Sequence, residues 1–135
     1  MGMKLAGPAG NGTVVGRRPI LLDAMTPILD ALSGAGIRVM VDIKVINPPC
    51  AFLHPPELAF RFREGDFTAR HKLLLIAAAS DRTASYANMS DLLLQAQQAL
   101  GDRAVVAVPA QVETSDLSTF LTAYELSWTE NVRQA

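Results

Sequence analysis

The sequence holds a single cysteine, Cys50, so no disulfide can close within the chain. Its position after Pro48-Pro49 and before an apolar segment reads as a small buried hydrophobe, compatible with a reducing compartment. A basic excess is also missing. Twelve Lys and Arg stand against thirteen Asp and Glu, a net charge of −1, which removes the counterion release that drives tight phosphate binding. Long apolar runs are absent too. The longest, Leu73 to Ala79, falls far short of the roughly 20 residues a membrane helix needs. Lys4, Gly7, Pro8, Gly10 and Gly12 leave no apolar stretch of signal-peptide length near the start. The expectation is a soluble chain without a membrane partner.

Catalytic signatures are equally scarce. The sequence contains no GxSxG, GxxxxGK[ST], GxGxxG, CxxC or HExxH spacing. Cys50 and His54 lie four apart on a strand, with His71 on a possible neighbour, but strand residues four apart are roughly 13 Å from each other and do not share an ion. Both histidines read as partly exposed or hydrogen-bonded sheet residues. Asp23 and Asp30 read as a solvated helix face, and Glu64 and Asp66 as turn chemistry. The expectation is a protein that is not an enzyme, with no metal and no cofactor.

What the sequence does contain is sheet patterning around two Pro-Pro pairs. With 135 residues and 50% hydrophobic content, the chain fits one domain that buries roughly two thirds of its unfolded surface. Pro48-Pro49 and Pro55-Pro56 bracket a strand of about four or five residues, because each proline fixes φ and lacks a donor. Before them Val39, Val41, Ile43 and Val45 alternate with polar or exposed positions, predicting a strand over residues 37–46. After them Leu58, Phe60 and Phe62 alternate with Glu57, Arg61 and Arg63, predicting a strand over 57–63 with those three apolar residues buried. Glu64-Gly65-Asp66 turns the chain into a second long strand, Phe67 to Ala79, solvated near the turn and buried on both faces from Leu73 onward.

Helices precede and follow this block. Leu21, Met25, Ile28 and Leu32, with Leu22 and Leu29 beside them, predict a helix over 19–33 that Pro27 kinks or divides and Gly34 and Gly36 end. Tyr86, Met89, Leu93, Ala96 and Leu100 predict a helix over 86–100, after a polar loop with several candidate N-caps and before Gly101. A strand over 103–112 carries Pro109 and therefore suits an edge. A closing strand alternates Phe120, Thr122, Tyr124, Leu126 and Trp128, with fraying expected from Thr129. The fold class is α+β: one domain over 19–130 with a mixed, mainly antiparallel sheet, two helices packed on it and the order α-β-β-β-β-α-β-β. A flexible arm is expected over 1–18 and a frayed end over 131–135.

A family resemblance rests on residues 20 to 128. The series Leu21-Leu22-Asp23-Ala24, Gly36 to Val39, Asn47-Pro48-Pro49-Cys50, a second Pro-Pro after four residues, Phe60-Arg61-Phe62, the apolar strand Leu73 to Ala78, a helix and a closing aromatic strand resembles the tail terminator proteins of long-tailed phages, especially those infecting actinobacteria. Pro-Pro-Cys followed by Pro-Pro is its most specific part. The resemblance implies a virion subunit, assembled in the host cytoplasm, that forms a homo-hexameric ring on the head-proximal end of the tail tube. That ring halts polymerisation of the major tail tube protein and joins the tail to the head-tail connector or stopper protein. Double-stranded DNA passes its lumen without specific binding. Sixfold repetition makes any acidic lumen residue a negative girdle. The hairpin tip, with Glu64 and Asp66, is the candidate lumen element, on an arm projecting from the body. Arg61, Arg63 and Arg70 are candidate partners for acids on the next subunit. Another neck or head-completion ring protein, or a soluble α+β domain that binds a ligand, are the alternative readings.

Overall fold

The computed structural model describes residues 19–40, 48–60, 66–112 and 119–132. The expected arm over 1–18 lies outside them, as do most of the first strand and the hairpin tip. The described elements are α1 (Ile20–Gly34), β1 (Val39–Met40), β2 (Cys50–Leu53), β3 (Glu57–Phe60), β4 (Phe67–Ala79), α2 (Arg82–Leu100), β5 (Val106–Ala110) and β6 (Phe120–Val132). The α+β class and the order α-β-β-β-β-α-β-β match the sequence reading.

One sheet collects the six described strands, five in the order β1-β2-β4-β6-β5 and β3 off that path beside β4, with β1 parallel to β2 and the other pairings antiparallel. β4 and β6 pair along thirteen residues each, from Phe67↔Val132 to Ala79↔Phe120. The opposite edge of β4 is shared end to end. β2 takes Leu73 to Ile76, and β3 takes Phe67 to Arg70. Pro48-Pro49 and Pro55-Pro56 therefore cut β2 to four residues, as their missing donors require.

Three strand expectations are corrected. Phe60 is 56% exposed and Leu58 only half-buried, β3 pairing with β4 alone among the described strands; Phe62 lies outside the described residues. The start of β4 is not solvated, since Phe67 and Ala69 pack with Ala24, Ile20, Leu58 and Val132. Thr129 to Val132 do not fray, because they pair with Phe67 to Arg70 and extend the domain past residue 130. β5 carries Pro109 at the sheet edge among the described strands, as proline there predicts.

α1 is one helix through Pro27, not two pieces, and its buried residues are Ala24, Ile28 and Leu32. Leu21 and Leu22, read as part of the stripe, are 46% and 61% exposed. The helix closes with Ile37 N–H donating to Leu32 O and Gly36 N–H to Ser33 O, both 3.0 Å. This Schellman arrangement needs a left-handed residue, supplied by Gly36 at φ 86°. α2 begins four residues earlier than its apolar stripe, at Arg82, because Asp81 caps it by accepting from Ala84 N–H at 2.8 Å. Its buried residues are Ser85, Met89, Leu92, Ala96 and Leu100. Tyr86, expected on that face, is 56% exposed.

Both helices lie on one face of the sheet. There Ile28 and Leu32 of α1 meet Met89, Leu92, Ala96 and Leu100 of α2 over Ala51, Leu53, Leu73, Leu75, Ala77, Leu126 and Trp128. Successive strand residues point to opposite faces. Cys50, Leu74, Ile76 and Ala123 accordingly form a second apolar cluster on the other face, joined by Phe52, Leu121 and Ala110. Farther along that face the residues turn polar, and Thr68 Oγ1 donates to Asn131 Oδ1 at 3.3 Å.

Candidate functional site

The sequence-derived site residues divide in two. Glu64, Arg61 and Arg63 lie outside the described residues. Asp66 is half-buried just before β4, and Arg70 is exposed on β4, in register with Glu57 of β3 and Thr129 of β6. Four positions of strand separate Asp66 from Arg70, roughly 13 Å, so the two do not form a cluster. The projecting arm expected at the tip rests on residues outside those described. β3 contributes four pairs, and the β4 residues they meet are flanked by β6 on the other edge, with Phe67 and Ala69 packed against α1.

Cys50, His54 and His71 do not converge either. Cys50 belongs to the cluster away from the helices. His54 follows β2, its N–H donating to Lys72 O at 3.0 Å and its ring edge-on to Phe52. Among the described residues no three His, Cys, Asp or Glu side chains gather as metal ligands.

His71 is neither partly exposed nor hydrogen-bonded, which corrects its sequence reading. β4 places it in phase with Ala69 and Leu73, and the pairing of β4 with β6 sets Trp128 opposite it. The imidazole is fully buried, and neither ring nitrogen has a hydrogen-bond partner. It stacks on the Trp128 indole with centroids 5.2 Å apart and 28° between planes. Trp128 Nε1, also buried, is likewise without an acceptor. Glu130, two residues along β6 on the same face, brings Oε2 to 3.4 Å from His71 Nε2, outside hydrogen-bond geometry. The same carboxylate accepts from Arg103 Nε, and Arg103 also donates to Leu100 O at 2.7 Å. A chain of contacts thus runs from the middle of β4 through β6 to the end of α2. Burial pushes the His71 pKa below its ordinary value; Glu130 opposes that shift and Arg103 adds to it. The period-2 pattern already held the signal for burial, but the Trp128, Glu130 and Arg103 partners depend on register and on the turn after α2.

A cleft lies where α2 stops covering the sheet. Tyr86, Met89 and Leu93 form one wall, and Pro109, Thr122 and Tyr124 lie across from them, around about 410 Å³. Farther along, Leu93, Leu100, Arg103 and Val105 line about 260 Å³. The cleft exists because β5 extends the sheet beyond the two helices. Its lining is mainly apolar, with the hydroxyls of Tyr86 and Tyr124 at hand, while Ser90 Oγ donates to Tyr86 O at 2.9 Å and Thr122 is engaged with Ser85 at 2.6 Å. It offers shape and apolar contact, and its described lining includes no histidine, cysteine or acid. Compared with known protein families and with curated proteins, the chain matches no family model and no curated sequence.

Proposed function

We propose that the chain is a tail terminator: a ring subunit that caps the head-proximal end of a phage tail tube, stops tube growth and joins the tail to the connector. One observation carries the reading, the double Pro-Pro bracket from Asn47 to Pro56 around Cys50-Ala51-Phe52-Leu53, followed by Phe60-Arg61-Phe62. The α+β order of elements is compatible with it. The bracketed segment is an interior strand, β2, held between β1 and β4, so the signature residues shape the sheet and leave the edges for neighbours. In this reading the partners are other copies of the chain, the tube subunit and the connector, and DNA passes without being bound.

The test is mass and assembly. Native mass spectrometry of the purified chain, alone and with the tube subunit, should give a species near six times the 14.5 kDa of one chain. Tails assembled without the chain should be overlong and unable to join heads. A second reading, a soluble domain that binds a small apolar ligand, draws on the cleft beside α2, whose volume falls within the usual range for such sites. That reading predicts a monomer under both conditions and tails of normal length.

A further inference from the structure

The His71 cluster is built in a way that packing alone does not require. A fully buried imidazole lacks any hydrogen bond, although buried polar groups are ordinarily paired. Its nearest charged group is a carboxylate already engaged by a guanidinium. We propose that His71, Glu130 and Arg103 form an acid-responsive latch: neutral His71 leaves Glu130 to Arg103, and protonated His71 competes for that carboxylate and loosens the tie between the end of α2 and β6.

The geometry supplies each part. Arg103 holds Glu130 of β6 and Leu100 O of α2 together, so it fastens the helix end to the strand. Glu130 reaches His71 with its second oxygen at 3.4 Å, close enough that a proton on Nε2 creates a charge-assisted bond after a small shift. Among the described residues, the charged groups that bear on His71 are Glu130 from β6 and Arg103 from the turn after α2. Two cations then compete for one carboxylate, and their mutual repulsion acts through the buried imidazole on one side and a partly solvated guanidinium on the other. Gly101, at φ 63°, and Asp102 form the turn that would give way. The proton comes from solvent and no bond other than N–H is made.

The molecule carries its own reporter. Trp128 is the only tryptophan of the chain and stacks on His71; a charged imidazolium quenches indole emission by accepting an excited-state electron, and a neutral one does so far less. The experiment follows Trp128 emission, and amide exchange over residues 101–106 corrected for its intrinsic pH dependence, from about pH 8 to about pH 5, where histidine is the side chain whose unperturbed charge changes. Expected are a one-proton loss of emission with its midpoint below the ordinary histidine value and a parallel rise in exchange. Both should be lost in His71→Phe, which keeps a ring on Trp128, and retained in His54→Gln. Glu130→Gln should move the midpoint down and Arg103→Gln should move it up. Arg103 is about one-third exposed, so its variant tests the latch even where His71→Phe does not fold. Flat emission and exchange in the wild type, an unchanged transition in His71→Phe, or midpoints that ignore the charge at 103 and 130 would overturn the proposal.

Discussion

Single residues differ sharply in what their neighbours make of them, and Phe60 and Trp128 show it. Both alternate correctly in sequence, yet Phe60 sits on β3, paired among the described strands with β4 alone, and keeps 56% of its surface, while Trp128 keeps 4% under the helices. Trp128→Ala is expected to cost about 3–5 kcal/mol through lost burial and an unfilled cavity, and Phe60→Ala less than about 1 kcal/mol. Urea midpoints that ranked the two in the opposite order would place the core elsewhere. His71 adds a pH dependence with a definite sign. Its folded pKa lies below the unfolded value near 6.5, so the unfolded chain takes up the proton first as pH falls. The contribution to stability is fully present above about pH 6.5 and is lost on acidification towards the folded value, at most about 1.4 kcal/mol per pH unit for one proton. Denaturation of the wild type and of His71→Phe between about pH 8 and about pH 5 should therefore diverge below about pH 6.5, the variant being the flatter. Parallel curves would remove His71 from the account.

At the level of elements, the helix ends carry more information than their middles. Gly36 completes the end of α1 at positive φ, and a Cβ there would lie 3.4 Å from Gln95 Nε2. That amide also donates to Ala35 O at 3.2 Å, so the same few atoms end α1 and dock α2. Gly36→Ala should cost about 1 kcal/mol for the left-handed backbone, and Asp81→Ala about 1 kcal/mol for the lost cap. Gly34→Ala should be mild, since Gly34 lies within the helix and nothing stands within 4 Å of its added Cβ. Thermal scans of the three variants check this, and an equal loss at Gly34 and Gly36 would contradict the closing motif. Much of this level was legible in the sequence. Both helices, the bracketed β2, the buried run of β4 and the edge strand with Pro109 follow from spacing and proline chemistry. The phase of the helix faces was less legible. Leu21, Leu22 and Tyr86 look like core by type, but Ala24 and Ser85 are the residues buried, because close approach of a helix to a sheet favours small side chains that hydrophobicity does not rank highly.

For the whole molecule, the sequence conveys architecture better than purpose. Pairing over 65 positions, as between Phe67 and Val132, has no local signature, so the Thr129 end of β6 looks polar and frayed when read alone. The His71 latch depends on that same long-range register. If the ring reading holds, charge at Glu64 and Asp66 is multiplied by the symmetry of the assembly. Replacing Glu64 and Asp66 by Lys should then leave tail length normal and impair DNA passage in a complementation assay. Overlong tails or failed joining would move those residues to an interface, and wild-type behaviour in tail length, joining and ejection would remove them from the function.

β6 lies between β4 and β5, which has a consequence for how the protein is made. A ribosome produces β1 to β5 before the strand that must sit in the middle of the sheet. Until β6 emerges, β4 offers a bare edge from Phe67 to Ala79, much of it apolar, and β5 has no neighbour to pair with. Contacts so distant in sequence close slowly, and an open strand edge invites other chains to bind it. The nascent chain therefore depends, until β6 has left the ribosome, on whatever shields that edge in the cell.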